Sequence, residues 1–186
     1  RIIMIMGGQS GKAYGLDQEV AWNEGVSLEQ KFRLFNRSAS LVMDFFRTDF
    51  TKQVVTDLED PSFFMFYNLN GKSFSNSFQA ELEMEPVHKL EVRLAYRLFD
   101  VKSTYNQVLM SRPLVSRNRA FMNLAYDLKG WKFDYTINVN GKKRLPPTVI
   151  NPTAYHRDNE SPAFVQMNAQ LSKTVGKKHP VDLYIG

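Results

Sequence analysis

Residues 131–140, WKFDYTINVN, decide the fold. Trp131, Phe133, Tyr135, Ile137 and Val139 fall on one parity, and Lys132, Asp134, Thr136, Asn138 and Asn140 on the other. A helix would scatter both sets around its axis, whereas a strand sends them to opposite faces. LEVRLAYRLF, residues 90–99, repeats the pattern, with Leu90, Val92, Leu94, Tyr96 and Leu98 against Glu91, Arg93, Ala95, Arg97 and Phe99. A helical reading would align Leu90, Leu94 and Leu98 but put Val92 and Tyr96 on the far side, so this stretch too is read as a strand.

The alternation extends outward from these two segments. Phe78, Ala80, Leu82 and Met84 oppose Gln79, Glu81, Glu83 and Glu85. Ala120, Met122, Leu124 and Tyr126 oppose Phe121, Asn123, Ala125 and Asp127, and Val165, Met167, Ala169 and Leu171 oppose Gln166, Asn168, Gln170 and Ser172. Ala39, Leu41, Met43 and Phe45 read as a strand whose polar parity is interrupted by Val42 and Phe46. Val181, Leu183 and Ile185 begin a last strand. Val20–Leu34 fits a strand or, through Val26, Leu28 and Phe32, a helix.

Connections alternate in length. Short turns are expected at Phe35–Ser38, Pro86–Lys89, Lys129–Gly130 and Gly176–Pro180. Long, polar, irregular connections are expected at Gly7–Glu19, Thr51–Lys72, Asp100–Arg117 and Gly141–Pro162. Long loops then lie on one side of the sheet and short turns on the other. The pattern predicts an all-β, antiparallel up-and-down meander of about nine strands, with free edges at Arg1–Met6 and Val181–Gly186.

Composition narrows the function classes. The 186 residues carry 24 Lys plus Arg against 19 Asp plus Glu, a formal charge of +5 that permits an anionic partner without demanding one. Cysteine is absent, which excludes disulfides, thiolate metal sites and cysteine nucleophiles within this chain. No apolar run approaches the roughly 18 residues of a membrane helix.

Alternation alone does not say which face is wet: soluble barrels bury the apolar face, and membrane barrels turn it to lipid around a polar lumen. Three features favour the membrane form. The alternating segments run to about 10–14 residues, enough to cross a bilayer with tilted strands. Trp22, Phe50, Phe99, Tyr126 and Trp131 sit near strand ends, where interfacial girdles place aromatics. The polar parities mix both charge signs with Asn and Gln, as a hydrated lumen does.

Chemical motifs are sparse. His88, His156 and His179 are far apart and no HExxH spacing occurs, so no metal site is expected. No GxSxG elbow is present. Glu81, Glu83 and Glu85 share a parity, which reads as a hydrated strand face rather than a catalytic pair. GGQSGK at 7–12 lacks the spacing of a phosphate loop and reads as a flexible loop. Lys142, Lys143 and Arg144, with Lys177 and Lys178, are the basic clusters, but they fall on opposite sides of the expected sheet and make no continuous nucleic-acid surface. Tyr155, His156 and Arg157 lie in a long loop, where binding groups on a rigid scaffold usually reside.

FYNLNGKSFSNSFQAELEME (66–85), LEVRLAYRLFDVK (90–102), NRAFMNLAYDLKGWKFDYTINVNGKKRLP (118–146) and MNAQLSK (167–173) together resemble the C-terminal barrel region of TonB-dependent outer-membrane receptors. AWNEGVSLEQKF (21–32) and DFFRTDFTKQVV (44–55) resemble earlier strands of the same barrel. The resemblance implies a barrel of roughly 22 strands, plugged by a globular domain and driven through TonB. It also implies uptake of a scarce nutrient such as an iron chelate or cobalamin across the outer membrane of a Gram-negative bacterium. Residues 1–186 are then expected to be an open part of that barrel, lacking the plug and the final strand, with no enzymatic activity and no cofactor. The expected lumen-facing residues are Glu81, Arg93, Arg97, Asp134, Asn138, Gln166 and Gln170, and the expected loop ligand contacts are Tyr155, His156 and Arg157. Expected partners are the plug, the TonB complex, outer-membrane lipid and the nutrient, with no nucleic acid. A passive porin and a soluble carbohydrate-binding β-sandwich, with Trp22 or Trp131 as a sugar platform, remain as alternatives.

Overall fold

The computed structural model describes residues 2–6, 13–176 and 181–186. These residues form twelve strands: β1 (Ile2–Ile5), β2 (Val20–Leu34), β3 (Arg37–Lys52), β4 (Val54–Asp57), β5 (Phe63–Asn68), β6 (Ser73–Val87), β7 (Leu90–Tyr105), β8 (Val108–Ser111), β9 (Asn118–Leu128), β10 (Trp131–Asn140), β11 (Phe164–Val175) and β12 (Val181–Ile185). Two short 3₁₀ turns, Ala13–Gly15 and Thr153–Tyr155, are the only helical segments among the described residues.

One nine-stranded antiparallel sheet dominates, in the order β12-β11-β10-β9-β7-β6-β3-β2, with β8 paired to the end of β7. Every long strand therefore lies beside its long neighbours in sequence, which is the up-and-down meander. The two ends, β2 and β12, do not meet, so the sheet is open. Val20–Leu34, which the sequence left between strand and helix, is a 15-residue strand along one edge. At its centre Gly25 sits opposite Phe46, whose ring lies where a glycine side chain would be. An aromatic folded over a glycine in this way shields backbone that an edge strand otherwise leaves bare.

Tight turns fix the register. Phe35 and Asn36 link β2 to β3, and Lys129 and Gly130 link β9 to β10, all four with positive φ. Two-residue connections of this kind match the right-handed strand twist. Between β6 and β7 a bulge at Met84/Val87 absorbs the mismatch, with Lys89 at φ 69°.

The structure departs from expectation at the first strand and in two long connections. Ile2–Ile5 is not an edge of the large sheet: it runs parallel to Phe63–Phe66 in a separate three-stranded sheet, β1-β5-β4. The count of nine in the large sheet is reached through β8 instead. Thr51–Lys72 is not irregular, because its apolar FFMF segment gives β1 and β4 a shared partner. In Asp100–Arg117, β7 runs on to Tyr105 and returns as β8 through a turn at Asn106 and Gln107, both with positive φ. The GGQSGK loop, Lys177, Lys178 and His179 lie outside the described residues.

Candidate functional site

Register places side chains on faces, because residues directly opposite across a ladder point the same way. On the apolar face, Met167, Ile137, Met122, Leu94, Leu82 and Leu41 form one row across six strands. Parallel rows flank it. One contains Ala169, Tyr135, Leu124, Val92, Met84, Ala39 and Phe32, another Val165, Val139, Ala120, Tyr96, Ala80, Met43 and Leu28. Towards the short turns a further row holds Leu171, Phe133, Tyr126 and Leu90; towards the long loops another holds Leu98, Phe78, Phe45 and Val26. The next row out is polar: Asp100, Asn76, Arg47 and Glu24. There Arg47 donates to Asp49 through Nε at 2.6 Å and Nη2 at 2.7 Å, and through Nη1 to Asn76 at 3.2 Å.

The apolar rows are two residues apart, about 7 Å along a strand, so from first to last they span roughly 27 Å, or about 21 Å once strands tilt by about 40°. Adding side-chain radii at each margin brings this to the height of the apolar band on a membrane barrel, about 25 Å. The band is open to its surroundings: Val26 is 66% exposed, Met167 60% and Phe133 47%. A face this apolar and this exposed needs a covering medium.

The opposite face is polar, and all seven sequence-predicted residues share it. Glu81 stands opposite Ala95, flanked on β7 by Arg93 and Arg97; Asp134 faces Gln170, and Asn138 faces Gln166. Two local networks form near the short turns. Arg93 holds Glu81 at 2.6 and 2.8 Å and reaches Glu83 at 3.4 Å. Asn123 donates to Asp134 and to Thr136, each at 3.0 Å, and the Thr136 hydroxyl reaches Asp134 at 3.4 Å.

Tyr155, His156 and Arg157 are brought together only locally. Tyr155 ends the 3₁₀ turn and is 69% exposed, His156 Nε2 lies 2.8 Å from the Asn151 carbonyl, and the Arg157 N–H donates to Thr148 at 2.8 Å. The exposed side chains sit on a folded loop.

The long-loop end carries a cluster that sequence reasoning did not find. Arg144, read from sequence as part of a basic cluster, grips Glu59 with two bonds of 2.7 and 3.0 Å and donates to the Ser111 carbonyl at 2.6 Å. Its guanidinium also lies over the Tyr105 ring at 5.6 Å. One side chain thus ties the β10–β11 loop to the β4–β5 turn and to the β7–β8 hairpin. Beneath it Asp57, fully buried, accepts from the Tyr67 hydroxyl at 2.7 Å and from the Glu59 N–H at 2.8 Å. Burial first, and then the bond to Asp57, push the Tyr67 phenol well above its usual range. Ser73 joins Ser103 at 2.8 Å and Gln53 at 2.6 Å, and Thr104 closes a ring with Lys72. Gly71, at φ 131°, is required there, because a side chain would strike Thr104. Lys142 is paired with Glu160 at 3.2 Å, both side chains largely exposed, and Lys143 lies over the Phe164 ring at 5.6 Å. No group of three or more metal-ligating side chains occurs among the described residues.

Two of the three comparisons with known proteins return nothing: no protein-family model matches this chain, and no curated protein does. Its fold is similar to part of a solved structure, the siderophore receptor PiuA from Acinetobacter baumannii, with a TM-score of 0.60 and 20% sequence identity. The likeness covers 95% of this chain and 25% of that receptor, so the chain spans about a quarter of the protein it resembles and matches an open part of a barrel in fold.

Proposed function

We propose that residues 1–186 form part of the barrel of a TonB-dependent outer-membrane receptor of a Gram-negative bacterium, an active importer of a scarce nutrient such as an iron chelate or cobalamin. The chain supplies barrel wall, lumen lining and extracellular loops. The observation that carries this reading is the apolar band. It matches bilayer height, ends in a polar row on the long-loop side, and backs onto a charged face with internal hydrogen bonding. Similarity in fold to a siderophore receptor supports the same conclusion.

On this reading the apolar rows meet lipid, and Glu81, Arg93, Arg97, Asp134, Asn138, Gln166 and Gln170 face the lumen. There they hydrogen-bond water or the plug domain, with Tyr155, His156 and Arg157 presented outside. The work is binding and passage rather than bond-making, so no catalytic residue or cofactor is assigned. The TonB complex acts through another part of the protein.

The test is uptake by cells carrying the full-length gene. Accumulation of a labelled iron chelate or cobalamin that requires both this gene and an intact TonB system supports the proposal. Passive, TonB-independent conductance in planar bilayers would favour a porin. A water-soluble monomer that binds sugars would favour the lectin-like alternative.

A further inference from the structure

The polar face is not evenly neutralised. Near the short turns Arg93 is held by Glu81 and Glu83. Arg97, four residues further along β7, has no such partner. It stands directly opposite Arg119 of β9, and neither guanidinium has a carboxylate within 4 Å among the described residues. Like charges placed directly opposite in a ladder destabilise it. The row they occupy continues through Gln79 to Asp44 on one side and through Asn140 on the other, and Asp44 pairs with neither arginine. The Arg97 guanidinium is propped over the Phe99 ring at 4.5 Å, which fixes its plane. Its Nε is buried and has no acceptor, the one such side-chain atom among the described residues. A buried donor without a partner is costly, as is the repulsion across the ladder, and a single oxyanion removes both costs.

The space for it is present. A concavity of ≈ 400 Å³ is lined by Arg97, Arg119, Gln79, Asn138, Asn140 and Gln166. It holds two guanidiniums and four side-chain amides, and no carboxylate. Planar guanidiniums bind carboxylate or phosphate with paired hydrogen bonds, and amide N–H groups can complete the shell.

We propose that Arg97 and Arg119 form an oxyanion site that takes one carboxylate or phosphate group. The proposal deepens the barrel reading and rests on it, since it places the group on the lumenal side in the outer half of the band. The group comes either from a free solute or from an acidic side chain elsewhere in the same protein.

The experiment uses the full-length protein folded in detergent, with inorganic phosphate titrated at constant ionic strength. Binding is followed by calorimetry and by melting temperature, in wild type, Arg97→Gln, Arg119→Gln and, as a charge change on the same face, Lys132→Gln. If the group comes from solute, phosphate binds and stabilises wild type and Lys132→Gln, and binds each arginine variant at least tenfold more weakly. If it comes from the protein, phosphate has no effect, both arginine variants melt below wild type, and Arg97→Lys restores much of the loss. Where a glutamine variant does not fold, Arg97→Lys carries the phosphate titration. A silent titration overturns the site if the arginine variants melt at or above wild type, or if lysine restores nothing. Heat-modifiable gel mobility of wild type separates the two failures: without it the barrel reading falls, and with it only the oxyanion site is lost.

Discussion

The middle of the large sheet and its long-loop end are built on opposite principles. In the strand centres the backbone ladder carries the sheet, with side-chain pairs such as Asn123–Asp134 and Arg93–Glu81 on the polar face, and large apolar side chains stand exposed on the other. At the long-loop end Asp57, Val55, Ser73, Ser103, Thr104, Tyr105 and Ser116 are buried, and the contacts are ionic and polar. A sheet that is covered by another medium needs no interior of its own, whereas loops standing in water must make one. The cap does so by adding side-chain pairs to its short strands.

The sharpest way to break this contrast is to unpair the cap. Glu59→Ala leaves the Arg144 guanidinium, 20% exposed, without its carboxylate. Removing one partner of a mostly buried pair costs about 3–5 kcal/mol. Amide exchange in the full-length protein should then accelerate at Leu114, whose N–H donates to the Arg144 carbonyl, and leave the strand centres protected. The converse experiment attacks the band. Leu94→Arg or Ile137→Arg should impair insertion of the full-length protein by about 2–4 kcal/mol, while Thr136→Arg on the polar face should cost much less. Equal losses would erase the distinction between the faces.

A smaller effect is expected at Tyr67. Tyr67→Phe removes a donor from buried Asp57 and should cost about 1–3 kcal/mol. The phenol also gives the cap a pH dependence. Its folded pKa lies above the unfolded value near 10, so the neutral form is favoured on folding. Stability from this group is complete below about pH 10 and declines as pH rises beyond it, because only the unfolded chain then releases the proton. The decline should shrink in Tyr67→Phe, leaving the part that buried Tyr105, also raised by its burial, contributes. Smallest of all, Phe35→Gly relieves a bulky residue at φ 52° and should stabilise the β2–β3 turn by about 1 kcal/mol.

The meander was legible in the sequence because its signal is local: a period of two needs only neighbours to be read, as in Trp131–Asn140. The shared face of Glu81, Arg93, Arg97, Asp134, Asn138, Gln166 and Gln170 follows from parity once the strands are ordered. The cap was not legible, since Arg144 and Glu59 are 85 residues apart and Asp57 and Tyr67 belong to a connection read as irregular. The FFMF run at 63–66 was the one available signal, a short apolar segment inside a polar stretch. The parallel pairing of β1 with it is non-local and has no sequence signature. Likewise Arg97 and Arg119 look like any alternating arginines until the register sets them face to face.

The central claim is that the apolar rows meet lipid, and one measurement addresses it directly. This chain brings no cysteine of its own, so single cysteines can be placed across the three adjacent strands β7, β9 and β10, at Leu94, Met122 and Ile137 on one parity and at Ala95, Asn123 and Thr136 on the other. Each is labelled with an environment-sensitive fluorophore in full-length protein folded into vesicles, and quenched by brominated lipid or by aqueous iodide. The account predicts strict alternation, with brominated lipid quenching the first set and not the second. Quenching by iodide at Leu94, Met122 and Ile137, with no response to brominated lipid at either parity, would contradict it.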